Sequence, residues 1–104
     1  MTGPVRLIRT RRFSDERGWF CETFSAAKLA AQGVSVDFVQ DNHSMSVPAG
    51  TIRGIHCQLP PRAQAKLIRC PRGRVVDYAV DLRRGSPTYG RHVSAELSGE
   101  NGLQ

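Results

Sequence analysis

The sequence predicts an all-β fold, a sandwich or barrel built from short strands. Three observations lead there. Runs of β-branched and aromatic residues recur along all 104 residues. Glycine- or proline-bearing turns separate most of them, from a total of 10 glycines and 6 prolines. A single short stretch has the makings of a helix. Such spacing is characteristic of sandwiches and barrels.

Taken in order, residues 5–13 alternate weakly and read as a first strand. Ser14-Asp15-Glu16-Arg17-Gly18 is turn chemistry, polar residues closing on a glycine. Residues 19–24 are aromatic and strand-like. Ser25 is placed to cap a helix over residues 26–32, which Gly33 would stop. Residues 36–46 read as a strand, and Val47-Pro48-Ala49-Gly50 as a turn. A central strand follows over residues 51–58. After the Pro60-Pro61 loop come a strand over 66–70 and a turn at Pro71-Arg72-Gly73. The longest strand signal is 74–82. A loop over 85–90, a last strand over 91–97 and a turn over 98–102 complete the chain.

Length allows at most one domain, spanning residues 1–104. No internal repeat or linker divides it. Hydrophobic residues are 39% and charged residues 23%, which excludes the composition of a disordered chain. No run reaches the roughly 18 apolar residues of a membrane helix. The first six residues lack the apolar segment of a secretory leader, so the cytoplasm is the default expectation. Cys21, Cys57 and Cys70 are odd in number and form no Cys-x-x-Cys pair, which favours neither a disulfide framework nor a thiolate metal site. The net charge of +6 suits phosphate-bearing small molecules as well as nucleic acid. Its basic residues are spread along the chain, with no basic helix and no zinc-finger spacing, so the nucleic-acid reading is the weaker one.

Polar side chains on the strands point to a lined cavity rather than a filled core. Thr51-Ile52-Arg53-Gly54-Ile55-His56-Cys57-Gln58 carries an arginine, a histidine and a glutamine that a plain core strand would avoid. Alternation puts Arg53 and His56 on opposite faces, so both serve one site only if the strand kinks at Gly54, or if Arg53 comes from a strand end or a neighbouring subunit. In residues 74–82, Val76, Tyr78, Val80 and Leu82 form an ordinary core face. Val75, Asp77, Ala79 and Asp81 face either water or a polar cavity, and water is the commoner destination of such carboxylates. Were strand 66–70 to pair with this one, Lys66 could meet Asp77 or Asp81 and neutralise charge developing on a substrate. An exposed lysine and a structural histidine are the plainer readings of Lys66 and His56. His43 and His92 look peripheral. No set of three metal ligands can be assembled from these stretches, so no catalytic metal is expected.

Several of these runs share an order. Asp15-Glu16-Arg17-Gly18-Trp19-Phe20-Cys21-Glu22, residues 38–44 and residues 50–58 resemble the dTDP-4-dehydrorhamnose 3,5-epimerase family. Residues 63–69, residues 80–88 and Leu97-Ser98-Gly99-Glu100-Asn101 continue the resemblance in register. It implies a cupin-type jelly roll, usually a homodimer, acting on a dTDP-linked 4-keto-6-deoxy sugar without metal or other cofactor. His56 matches the family's base and Lys66 the lysine beside the sugar. Arg53 matches a ligand-binding arginine suited to diphosphate. Arg17, Glu22, Gln40, Asp41 and Asn42 fall on nucleotide- and sugar-contacting positions, and Asp77 on an acidic pocket position. Family members are about 180 residues long. The proton-donating tyrosine and the aspartate that orients the histidine belong to a part beyond Gln104, and Tyr78 and Tyr89 do not match that tyrosine. The expectation is therefore an N-terminal piece of a longer jelly roll. The alternatives are a truncated dTDP-sugar-binding module without turnover, and a related single-site epimerase or ketoisomerase.

Overall fold

Gly18 and Gly33 mark two of the clearest local decisions in the chain. The computed structural model describes residues 5–104; residues 1–4, within the stretch judged to lack a leader, lie outside them. The described chain divides into two units. One joins the residues up to Ser25 with Leu67–Gln104; the other is Ala26–Lys66.

The first unit contains two antiparallel two-stranded sheets. Strand β1 (Arg12–Asp15) pairs with β2 (Gly18–Cys21), Asp15 opposite Gly18. Two residues connect them, and Gly18 takes a φ of 132°, a value that favours glycine. Strands β3 (Arg74–Val80) and β4 (His92–Ser98) pair in full, from Arg74 opposite Ser98 to Val80 opposite His92. The strand predicted over residues 5–13 is broken. Ile8 and Gln104 exchange backbone hydrogen bonds of 2.7 and 2.9 Å, with Arg9 bridging Leu103, and the next run is β1.

Ile8 and Leu97 are the buried apolar residues here, joined by the polar Gln104. Gln104 Nε2 donates to the Thr23 carbonyl at 2.9 Å, so its burial leaves that donor satisfied. Arg12 ties β1 to the turn after β4. Its guanidinium donates to the carbonyls of Gly99 and Glu100 and lies 4.0 Å from the centroid of the Trp19 ring.

The β3–β4 loop is held by one carboxylate. Asp81 Oδ2 accepts from Arg83 Nη2 at 2.8 Å, Ser86 Oγ at 2.6 Å and Thr88 Oγ1 at 2.6 Å. Oδ1 accepts the Arg83 backbone N–H at 2.9 Å. The Arg83 bond first, then the two hydroxyls, hold this carboxyl far below the usual carboxylate range. Its contribution is therefore present in full above the unfolded carboxylate value and lost as pH falls toward the depressed folded one. Asp81→Asn is expected to lower the thermal midpoint at pH 7, with the gap from wild type closing below about pH 4. Thermal melts followed by circular dichroism across that range check this, and a gap that stays constant with pH would contradict it.

In the second unit, α1 (Ala26–Ala31) buries Leu29. It ends at Gly33, whose φ is 82°, with Gly33 N donating to Ala30 O and Val34 N to Leu29 O. This is a Schellman closure, as the glycine predicts. The rest departs from the sequence reading. Residues 36–46 and 51–58 are not hydrogen-bonded strands, and neither are residues 66–70, which straddle the division between the units. A β ladder needs a partner backbone in register, and propensity alone does not supply one. Val39, Ile52 and Ile55 are accordingly exposed. At Gly54, where a kink was predicted, φ is 100° and the backbone bends, though no ladder exists there for a bulge to interrupt.

The faces of β3 also differ from expectation. On the face read as core, Val76, Tyr78 and Leu82 are more than half exposed and Val80 is half-buried, whereas on the other Asp77, Ala79 and Asp81 are half-buried and Val75 is exposed. Alternation identifies two faces but not which one is covered. No described helix is long and apolar enough to cross a membrane.

Candidate functional site

The predicted site residues divide between the two units. Within residues 26–66, Gln40 Nε2 donates to Asn42 Oδ1 at 3.3 Å, joining two of the three consecutive polar positions; Asp41 lies between them, exposed. Arg53 is anchored from one side. Its Nε donates to Ser46 Oγ at 2.9 Å and one Nη to the Met45 carbonyl at 3.3 Å. Both acceptors are neutral, so neither compensates the guanidinium charge, on a residue that is exposed.

His56 stands beside Gly54. A Cβ at Gly54 would come 3.1 Å from the His56 backbone nitrogen and 3.4 Å from Nδ1, at a φ that already disfavours any side chain. Glycine at 54 therefore keeps the His56 backbone uncrowded, and the backbone in turn sets where the imidazole sits. Gly54→Ala is expected to displace the ring and to lower any proton-transfer activity by about 100-fold, the scale of a 1 Å misplacement. The His56 ring signals in an NMR spectrum should move with it; unchanged ring signals would contradict the packing argument.

Lys66 Nζ donates to Gln58 Oε1 at 2.6 Å, Gln64 Oε1 at 2.6 Å and Gln64 O at 3.2 Å. The two glutamines are contacts that pattern reading missed. The one available signal was their position, eight and two residues from Lys66.

In the other unit, Arg17 lies in the β1–β2 turn. Its Nε and Nη2 donate to Asp15 Oδ2 at 3.1 and 2.6 Å, and its backbone N–H to Oδ1 at 2.8 Å. These bonds hold the Asp15 carboxyl below its ordinary range. The Nη1 side of the fork is turned away from them, on a side chain 84% exposed. The same Asp-x-Arg closure recurs at Asp81 and Arg83, so it is a feature of the turn as well as of the site. Glu22 follows β2 and is exposed; Asp77 is half-buried on β3. A cavity of about 270 Å³ at the loop end of the β3–β4 hairpin is lined by Asp81, Arg83, Thr88, Arg91 and His92 among others, and by none of the predicted site residues. Among the described residues, no three His, Cys, Asp or Glu side chains are grouped to hold a metal ion.

The family model described as dTDP-4-dehydrorhamnose 3,5-epimerase matches residues 3–104. The chain belongs to this epimerase family. It is 56% identical over 100 residues to the dTDP-4-dehydrorhamnose 3,5-epimerase of Sinorhizobium fredii, covering 96% of this chain and 51% of that protein. To the enzyme of the same name from Shigella flexneri it is 50% identical over 101 residues, covering 96% and 55%. The crystal structure of the Bacillus anthracis epimerase with TDP and PPi bound superposes with a TM-score of 0.92 at 46% identity, covering 94% of this chain and 56% of that one. The Legionella pneumophila epimerase in complex with dTDP-4-keto-L-rhamnose gives 0.88 at 44% identity, covering 94% and 52%. The chain thus spans about half the length of the curated relatives it matches. Likeness at this level makes the fold class the all-β, cupin-type jelly roll that the family resemblance implied.

Proposed function

We propose that this chain carries the base and much of the ligand site of a nucleotide-sugar epimerase acting on dTDP-4-dehydro-6-deoxyglucose. The observation that carries the reading is the family match across residues 3–104. The residues suit the chemistry. A 4-keto group acidifies the hydrogens on carbons 3 and 5. The His56 imidazole removes each one, the side-chain type most often used as a general base. The electrons move onto the keto oxygen as an enolate, and Lys66 stabilises that oxygen. A proton returned to the opposite face inverts each carbon. Arg53 takes the diphosphate through its fork, while Arg17, Glu22, Gln40, Asp41, Asn42 and Asp77 contact nucleotide and sugar. No metal or other cofactor enters this scheme.

Residues 1–104 act in this reading as one domain, the N-terminal part of the jelly roll, in a cytoplasmic homodimer. Hydrogen exchange from heavy water into the substrate tests the function. Exchange at carbons 3 and 5 supports it, exchange at one carbon indicates a single-site epimerase or ketoisomerase, and exchange at neither ends the proton-abstraction scheme.

A second reading is a module that holds a dTDP-sugar without turnover. Calorimetry with dTDP beside the exchange assay separates the two, because the module binds without exchanging.

A further inference from the structure

The three N–H donors of the Lys66 ammonium meet three oxygens, and all three acceptors are uncharged. Two are amide side chains from earlier in the chain, Gln58 at 2.6 Å and Gln64 at 2.6 Å. The third, the Gln64 carbonyl, is longer at 3.2 Å. A carboxylate in either glutamine's place would hold the nitrogen equally well but would cancel its charge. Amide oxygens fix a flexible four-carbon side chain while leaving the positive charge uncompensated. Lys66 is exposed, so without such a hold it would sample many rotamers.

We propose that Gln58 and Gln64 are positioning residues for Lys66. Resting on the epimerase reading above, they aim a fully charged ammonium at the oxygen on which negative charge develops. The two short side-chain contacts persist when the sugar binds. The long contact to the Gln64 carbonyl is the one the ligand oxygen replaces, so the ammonium keeps three partners throughout.

The test uses the fact that the chain has two lysines, Lys28 and Lys66. Competitive acylation with acetic anhydride, read by peptide mass spectrometry, reports Lys66 reactivity against Lys28 as internal reference. The double variant Gln58→Met/Gln64→Met keeps bulk but removes both side-chain acceptors. It should raise the Lys66-to-Lys28 ratio by about 3-fold or more, as expected for losing hydrogen bonds to a charged group. Gln58→Glu should lower the ratio. Ratios equal to wild type in all variants overturn the proposal, whether or not the chain turns over.

The second readout is heavy-water exchange into the keto sugar. Gln58→Glu should cut kcat by about 10-fold or more with KM little changed, because the added carboxylate opposes oxyanion stabilisation only as charge develops. Gln58→Asn, which retains a neutral acceptor, should be less impaired than Gln58→Glu. Equal loss in both variants would mean a merely structural role and overturn the proposal. Wild-type exchange with an unimpaired Gln58→Glu variant overturns the positioning role while leaving the epimerase reading intact. Absence of wild-type dTDP binding and exchange defeats that reading instead, and the acylation ratios then decide the hold on Lys66 alone.

Discussion

Replacing His56 with asparagine is expected to reduce epimerisation, and hydrogen exchange at the sugar carbons, by about 100- to 10,000-fold, the range of a positioned acid–base group. Asparagine keeps a polar side chain of similar reach but has no basic nitrogen. Binding should survive, because the residues assigned to the diphosphate and nucleotide do not include His56. Calorimetry with dTDP should therefore give nearly unchanged affinity beside a collapsed rate. That split separates removal of a base from general damage. Comparable exchange in the variant would show that another group takes the proton.

A second large effect is expected in the other unit. Gly99 follows β4, and the turn before β3 lies directly on it. A Cβ at position 99 would come 2.7 Å from the Pro71 carbonyl oxygen and 3.3 Å from the Arg72 Cα. These are backbone atoms, which cannot swing aside as a side-chain tip can. The Gly99 N–H also donates to the Gly73 carbonyl at 3.1 Å, so moving the turn away would lengthen that bond. Arg12 donates to the Gly99 carbonyl from the other sheet and would be disturbed as well. Gly99→Ala should cost about 1–3 kcal/mol, the usual range for overpacking. Urea unfolding should show a lower midpoint with an unchanged slope. An unshifted midpoint would mean that the contact relaxes freely.

The His56 and Gly99 effects differ in how readily a sequence discloses them. His56 stood out because it shares an otherwise apolar run with Arg53 and Gln58. Gly99 looked like any turn glycine, since its constraint comes from residues 71–73, more than twenty positions away. The glutamines around Lys66 lie between these cases. They are close in sequence, but the Pro60-Pro61 loop separates Gln58 from Lys66 and holds Gln64, so no single strand's alternation links them to the lysine.

The sequence by itself determined the local turns and the family. The Asp-x-Arg turn closing at Gly18 and the helix stop at Gly33 are set by interactions within a few residues. The ordered motifs disclosed the family, and with it the jelly-roll class. Only the tertiary structure decided that residues 36–46, 51–58 and 66–70 run without a ladder, that Asp77 and Asp81 are half-buried while Tyr78 and Leu82 are exposed, and that Lys66 rests on amides. Each of these depends on which distant backbone or side chain arrives as partner, and propensity and alternation contain no information about that arrival.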